Sequence, residues 1–398
     1  MRVLVVNAGS SSLKHALVEV GENAILSRDE ERWEPGKAAI LSRGEERREP
    51  GGGAILTRGE ERWEPGGGAG AHAPALRAAL AATAVGGAVD AVGHRVVHGG
   101  ARFHGPARID AGVRAAIAAL APLAPLHTRA ALEGLDAAAA ALPDVPQVAC
   151  FDTAFHHTLP AEAATYALPR EWSERFGLRR YGFHGLNVAW CHEQALRRLG
   201  ADRCRRLVVC HLGSGCSVSA VRDGRSIDTT MGFTPLEGLP MATRSGSIDP
   251  GVLLHLLARG IGAGELDDAL NHRSGLRGIA GVGDLREVER AARAGDERAQ
   301  LAFDVLVRAV SGAVAAMTTS LRGLDALVFS GGAGEHSAAL RAAVCARLRH
   351  VGVRIDDDAN ARHERQIGTA GAGVAVLVEP AGEELVIARE TAAVLVAP

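Results

Sequence analysis

Apolar residues fall in short runs that alternate or stand consecutively, and these runs are separated by stretches of helical period along the whole 398-residue chain. Two segments share one design, an apolar strand, a tight Gly/Ser loop and a second alternating strand: VLVVNAGSSSLKHALVEV from Val3 and RLVVCHLGSGCSVSAVRDG from Arg206. Between them the pattern predicts helices over 71–83, 111–120, 128–142 and 187–199, with strands in AVDAVGHRVVHGG and VPQVACFD. Beyond them lie a Gly/Pro-rich loop over 232–251, helices from the 250s to the 320s, and the strand-turn-helix ALVFSGGAGEHSAALR. VGVRI and GVAVLVEP read as the last strands and ELVIARETAAVL as a closing helix. Strands alternating with helices predict an α/β architecture. The doubled strand-loop-strand unit predicts two related lobes, 1–151 and 152–383, with the final helix 384–398 crossing back to the first.

One stretch breaks this pattern. AILSRDEERWEPGKA from Ala24, AILSRGEERREPGGG from Ala39 and AILTRGEERWEPGGG from Ala54 form a tandem repeat over 24–68 with a period of 15 residues. Three copies are too short for a domain of their own. Each reads as strand ending in a Pro-Gly turn, so a duplicated peripheral strand is expected. Two readings of its role stand: a solvated arm, or an added hairpin, bearing Trp33 and Trp63, that contacts another subunit.

Composition narrows the class without identifying it. Hydrophobic residues make up 47% of the chain and the formal net charge is −2, which excludes a disordered tail and a polybasic nucleic-acid binder. Apolar runs stop short of the roughly 20 residues that span a bilayer, and no basic segment with an apolar h-region opens the chain. A cytoplasmic protein with no membrane partner is expected. Cys150, Cys191, Cys204, Cys210, Cys216 and Cys345 form no Cys-x-x-Cys pair, so reduced, buried thiols are expected.

The two Gly/Ser loops expose backbone N–H groups and small hydroxyls, which suit phosphate oxygens. Neither matches a P-loop or a dinucleotide fingerprint. Asn7 and Lys14 flank the first loop, where a carboxamide oxygen can ligate Mg²⁺ and an ammonium can meet a phosphate. Arg95 in GHRVVHGG and Arg244 in MATRSGSIDPG offer guanidinium forks for a carboxylate or phosphoryl group. Asp152 closes a strand at its carboxyl end and reads either as an active-site acid or as a helix N-cap. His184 and His211 stand at strand or loop junctions, and either is equally a core histidine. Ser330–His336 forms a Gly-rich turn that admits a nucleotide close to the backbone. Asp284 and Arg286 read as nucleotide contacts, with a helix N-cap at Asp284 as the alternative. Glu383 and Glu384 open the final helix, as metal ligands or as acids favoured by its dipole.

Taken in order, VNAGSSSLK, HRVVHGG, APLH, FDTAFH, YGFHG, HLGSG, DTTMGFTPLEG, TRSGSIDPG and FSGGAGEHS resemble the acetate kinase family over nearly the whole chain outside the repeat. The resemblance implies two RNase H-like (actin-like ATPase) lobes with a nucleotide cleft between them, and a homodimer formed mainly through the second lobe. It implies Mg²⁺, with Mn²⁺ as an alternative, at Asn7 and Glu383. ATP contacts are implied at Lys14, at His211, Leu212, Gly213, Ser214 and Gly215, at Asp284, Leu285 and Arg286, and at Gly332, Ala333, Gly334, Glu335 and His336. Arg95 is implied to hold the substrate carboxylate, Asp152 to be the active-site acid, and His184 and Arg244 to stabilise the transition state. An acyl pocket is implied from Val97, Leu126, Phe183 and Pro235. The chain departs from the family's usual pattern at Thr128, Arg129, Leu186, Asn187, Val188, Ser214, Gly283 and Gly382.

The implied reaction is reversible transfer of the γ-phosphoryl group of ATP to acetate, giving acetyl phosphate and ADP. A carboxylate with a pKa near 4 to 5 is already ionised at neutral pH, so charge neutralisation and in-line alignment matter more than a general base. A propionate or other short-chain acyl kinase is the nearest rival. A catalytically weakened homologue whose repeat serves assembly is the other.

Overall fold

A computed structural model of the protein describes residues 1–9, 12–21, 53–62, 72–83 and 88–396. The first two copies of the repeat, Trp63, and Ser10 and Ser11 of the first loop lie outside the described residues. Among the described residues the backbone contacts divide into two units. One comprises Met1–His157, His184–Trp190 and Gly382–Pro398, the other Thr158–Phe183 and Cys191–Ala381. His184 therefore groups with the N-terminal residues, although the sequence reading set it beyond the division at Phe151.

The first unit opens with β1 (Arg2–Ala8), β2 (Ser12–Val20) and β3 (Gly53–Arg62), followed by α1 (His72–Thr83), β4 (Ala91–Val96) and β5 (Ala107–Arg108). It continues through α2 (Ala111–Ala119), α3 (Pro125–Ala141) and β6 (Gln147–Phe151). Its sheet runs β3-β2-β1-β4-β6-β5. The β1-β2-β3 meander is antiparallel, whereas β4 and β6 join in parallel, as strands fed by helical crossovers do. Val3, Leu4, Val5 and Val6 are all buried, as expected of a strand covered on both faces.

The second unit carries α4 (Ala161–Ala164), α5 (Arg170–Phe176) and most of α6 (Gly185–Leu199), then β7 (Arg206–Leu212), β8 (Cys216–Arg222) and β9 (Arg225–Thr229). Next come α7 (Pro250–Ala258), α8 (Ala263–His272), α9 (Gly275–Ala280), α10 (Leu285–Arg293) and α11 (Glu297–Leu321). β10 (Ala326–Ser330), α12 (Gly331–His336), α13 (Ala338–Arg347), α14 (Asp357–Ala361) and β11 (Ala375–Val378) complete it. α15 (Glu383–Val396) then packs on β1, β2, β4 and β6 of the first unit.

The second sheet runs β11-β10-β7-β8-β9, with β7-β8-β9 antiparallel and β10 and β11 parallel to β7. Written from the meander outward, each sheet has its third strand at one edge, its first in the middle and then two strands parallel to that first, β4 and β6 in one and β10 and β11 in the other, with antiparallel β5 added at the far edge of the first. The chain is thus an α/β protein of two RNase H-like units, each built on the same strand order.

Two local expectations change, and one open reading is resolved. VGVRI is not a strand: Ile355 makes only an isolated bridge to Gly368. β9 begins where the second hairpin was expected to end, because Asp223 (φ 48°) and Gly224 (φ 80°) turn the chain back onto β8. The described part of the third repeat copy, Ala54–Arg62, is the peripheral strand expected of it and not a solvated arm, since β3 pairs with β2 from Ser12↔Arg62 to Val20↔Gly53 at the sheet edge.

α11 is long and apolar enough to cross a membrane by length and composition. It is instead a core helix, with Ala302, Leu306, Val310, Val314 and Leu321 buried and with packing on β7, β8 and β9. All six cysteines are buried thiols outside any disulfide.

Candidate functional site

In the first unit the expected residues gather around Arg95. β4 and β6 lie side by side with Arg95 opposite Cys150, which brings Asp152, just past β6, under the guanidinium. Arg95 donates from Nε to Asp152 Oδ1 at 2.9 Å and from Nη2 to Oδ2 at 2.7 Å. Asp152 is 1% exposed and lies against Arg95 as its buried counter-charge. Burial disfavours the Arg95 charge but is outweighed by Asp152, with Glu383 and Glu384 adding to it, so its pKa is raised. Among the described residues only the Nε–Nη2 edge is used.

Glu383 and Glu384 form the first turn of α15, whose dipole favours acids there. Burial raises the Glu384 pKa, opposed by Arg58 and Lys14 and reinforced by Glu383. Lys14 and Asn7 are cross-strand neighbours on β2 and β1. Asn7, Lys14, Arg95, Asp152, Glu383 and Glu384 thus share one unit, and all but Asn7 are electrostatically linked. Among the described residues no three His, Cys, Asp or Glu side chains gather into a metal cluster. One carboxamide and one carboxylate oxygen nevertheless suit Mg²⁺, a hard cation that keeps several waters and takes phosphate oxygens.

His184 has φ 59°, a left-handed conformation that is unusual without a glycine. The next residue explains how it is held, because Gly185 N–H donates to the Asp152 carbonyl at 2.9 Å. The backbone that carries His184 is therefore anchored to the residue that carries the Arg95 partner.

In the second unit the expected residues lie on loops. Gly213 N–H donates to Gly215 O at 2.9 Å and closes the HLGSG turn between β7 and β8. Arg244 donates from Nη1 to Pro235 O at 3.2 Å and pairs with no carboxylate among the described residues. Burial lowers its pKa. Asp284 caps α10, accepting from Arg286 N–H at 2.9 Å, and also binds the Arg286 guanidinium, whose side chain is 88% exposed. Both readings of Asp284 are therefore compatible. Gly332 to His336 fall in α12, directly after β10.

The expected acyl-pocket residues divide as well. Val97 follows β4 and is half-buried, Phe183 is 1% exposed, and Pro235 is half-buried in the loop that Arg244 touches. Leu126 lies in the first turn of α3, and its side chain is outside the described residues.

A family model described as the acetokinase family matches residues 2–389. The chain belongs to that family. It is 45% identical to an acetate kinase of Nostoc sp. (strain PCC 7120) and 45% identical to one of Clavibacter michiganensis, with 98% of each chain covered in both cases. Among solved structures, a propionate kinase from Francisella tularensis superposes with a TM-score of 0.83 at 36% identity, covering 98% of each chain. An acetate kinase of Porphyromonas gingivalis gives 0.83 at 33% identity over 99% of each.

Within this acetokinase, four departures from the usual pattern contact one another or a shared neighbour. A Cβ on Gly382 would stand 2.4 Å from Trp190, and the Gly382 N–H lies 3.4 Å from Asn187 Oδ1. A Cβ on Gly283 would stand 2.8 Å from Ala242 O, while Ala242 N–H reaches Ser214 O at 3.4 Å. The changed residues at 187 and 382 fit each other, and those at 214 and 283 meet the same residue.

Sequence reasoning missed Arg341, Arg180 and Tyr166. Arg341 is fully buried and binds Gly334 O and Glu335 O at 2.8 Å each, Asn360 through Oδ1 and O, and His363. Its charge meets the carboxyl-terminal end of α12, where helix carbonyls favour a cation. Arg180 binds Glu237 at 2.8 Å and Thr230 O at 3.1 Å, and Tyr166 also donates to Glu237, so the FTPLEG loop is fixed from outside. Thr230, Glu237, Gly334 and Glu335 lay within recognised motifs, and nothing local announces Arg180, Tyr166 or Arg341 as their partners.

Proposed function

We propose that this acetokinase transfers the γ-phosphoryl group of ATP reversibly to acetate, by direct in-line attack of the carboxylate, giving acetyl phosphate and ADP. The observation that carries this reading is the state of two guanidinium groups. Among the described residues Arg95 is neutralised and aimed by Asp152 through its Nε–Nη2 edge alone, which suits a small carboxylate. Arg244 is half-buried with no acidic partner among the described residues, which suits the charge that develops on a transferring phosphoryl group.

Acetate needs no proton removed, so Asp152 acts by holding Arg95. His184, on its constrained backbone, donates to the phosphoryl oxygens. Lys14, the HLGSG turn, Asp284 to Arg286 and Gly332 to His336 bind the nucleotide. Asn7 and Glu383 would hold Mg²⁺, which supplies neutralisation of the phosphate charge when bound.

In this reading an apolar pocket that includes Val97 limits the length of the acyl group. One methylene is worth only about 1–3 kcal/mol in such a pocket, so propionate is a slower substrate and not an excluded one. The propionate kinase neighbour favours keeping that second acceptor in view. A homodimer is supported by the apolar face on and beside α7, where Leu254 is 68% exposed beside Ile248, Val252 and Leu257. Balanced charge favours a cytoplasmic setting.

A hydroxamate assay with acetate, propionate and butyrate, each with ATP and Mg²⁺, tests the reading. Acetate is expected to give the highest kcat/KM. A higher value for propionate would move the assignment to a propionate kinase, and no product with any of the three would end it.

A further inference from the structure

Arg244 stands in the stretch 230–249, which joins β9 to α7 without helix or strand, so no ladder fixes its guanidinium. Packing behind the stretch is incomplete as well. A cavity of about 370 Å³ is lined by Thr230, Gly238 and Ser247 of the stretch and by Ala309, Ala313 and Met317 of α11. Polar ties that converge on Glu237 hold the loop instead.

Glu237 Oε1 accepts from Arg180 Nη2 at 2.8 Å, and Oε2 accepts from the Tyr166 hydroxyl. That hydroxyl in turn accepts from Phe233 N–H at 2.8 Å, while Arg180 Nη1 donates to Thr230 O at 3.1 Å. Tyr166, beyond α4, and Arg180, beyond α5, both come from outside the stretch, and the guanidinium lies 5.6 Å from the tyrosine ring centroid. Gly232 makes room for them, since a Cβ there would overlap the Glu237 carboxylate and the Tyr166 hydroxyl.

Two short routes lead from Glu237 to Arg244. Pro235 O, two residues before Glu237, accepts from Arg244 Nη1 at 3.2 Å. Gly238, the next residue, accepts from Ser247 N–H at 2.9 Å and donates to Ser247 Oγ at 3.1 Å, which clasps the ends of the segment that carries Arg244.

We propose, on the phosphoryl-transfer reading of Arg244, that Tyr166 and Arg180 are positioning residues that aim this guanidinium by fixing Glu237. They act through the loop and not on the reacting groups. A misplacement of about 1 Å costs roughly 10²-fold in rate, so small shifts of Pro235 and Gly238 suffice.

Tyr166→Phe removes one of the two donors to Glu237 and keeps the ring. It is expected to lower kcat about 10- to 100-fold while KM for acetate and for ATP stay within about twofold, because the charge that Arg244 meets exists only in the transition state. The urea midpoint, measured alongside, is expected to stay close to that of the parent. In the Arg244→Leu background the same substitution is expected to change kcat less than about twofold, since its target is gone. Glu237→Gln sets an amide donor against one of its two partners and is expected to repeat the loss confined to kcat. An equal fractional loss with and without Arg244, or parental kcat in both Tyr166→Phe and Glu237→Gln, would overturn the positioning role and leave that of Arg244 standing. Near-parental turnover in Arg244→Leu would end both.

Discussion

The two units share a strand order, and the arginine that each offers as a candidate site residue is partnered differently. In the first, charged groups are packed against opposite charges: Arg95 on Asp152, and Glu384 near Arg58 and Lys14. In the second, Arg244 is half-buried with no such partner among the described residues, and the HLGSG turn closes through backbone groups. One topology can therefore present a pre-neutralised grip for a small anion or an uncompensated cation for a developing charge. The strands decide where a side chain stands, and its partners decide what it can bind.

The sharpest way to break this contrast is at the unpaired cation. Arg244→Leu is expected to lower kcat by roughly 10³-fold or more with little change in KM for acetate, since its partner charge develops only in the transition state. Steady-state kinetics check this, and a KM effect alone would place Arg244 in ground-state binding. Asp152→Asn removes the charge that aims Arg95 and is expected to lower kcat/KM for acetate about 10²-fold. A loss that instead follows a titrating group in the pH profile would make Asp152 a base.

Stability sharpens the comparison with smaller effects. Arg341→Met leaves the Gly334 and Glu335 carbonyls and Asn360 without their buried donor, at a cost of about 3 kcal/mol. Urea unfolding measures it, and KM for ATP is expected to rise more than KM for acetate because α12 loosens. A variant as stable as the parent would show the clamp to be dispensable.

Acid should weaken both units. Burial pushes the pKa of His94 and of His192 down to about 4, from 6.5. The unfolded chain then binds more protons than the folded one between pH 6.5 and about 4. Stability accordingly rises with pH through that window and is lost as pH falls through it, by on the order of 1–3 kcal/mol per histidine. Urea midpoints at pH 7 and pH 5 check this, and His94→Gln is expected to flatten the dependence.

Much of this was legible in sequence, and for identifiable reasons. VLVVNAGSSSLK and LVVCHLGSG expose their strand-loop-strand design because alternation and tight turns are local signals. Asp284 showed its capping role for the same reason. VGVRI misled because a run of apolar residues cannot reveal that its backbone finds only one bridge. Arg341, Arg180 and Tyr166 were invisible because each acts on backbone or side chains well away in sequence. The third repeat copy gave away its strand character but not its sheet, where Gly59 stands against the His15 ring.

Acetate saturation kinetics on Arg95→Leu, at saturating ATP and Mg²⁺, test the central claim most directly. A guanidinium held by Asp152 as the acetate grip requires KM for acetate to rise at least tenfold while KM for ATP stays within about twofold of the parent. An unchanged KM for acetate, or an equal rise for ATP, would contradict it.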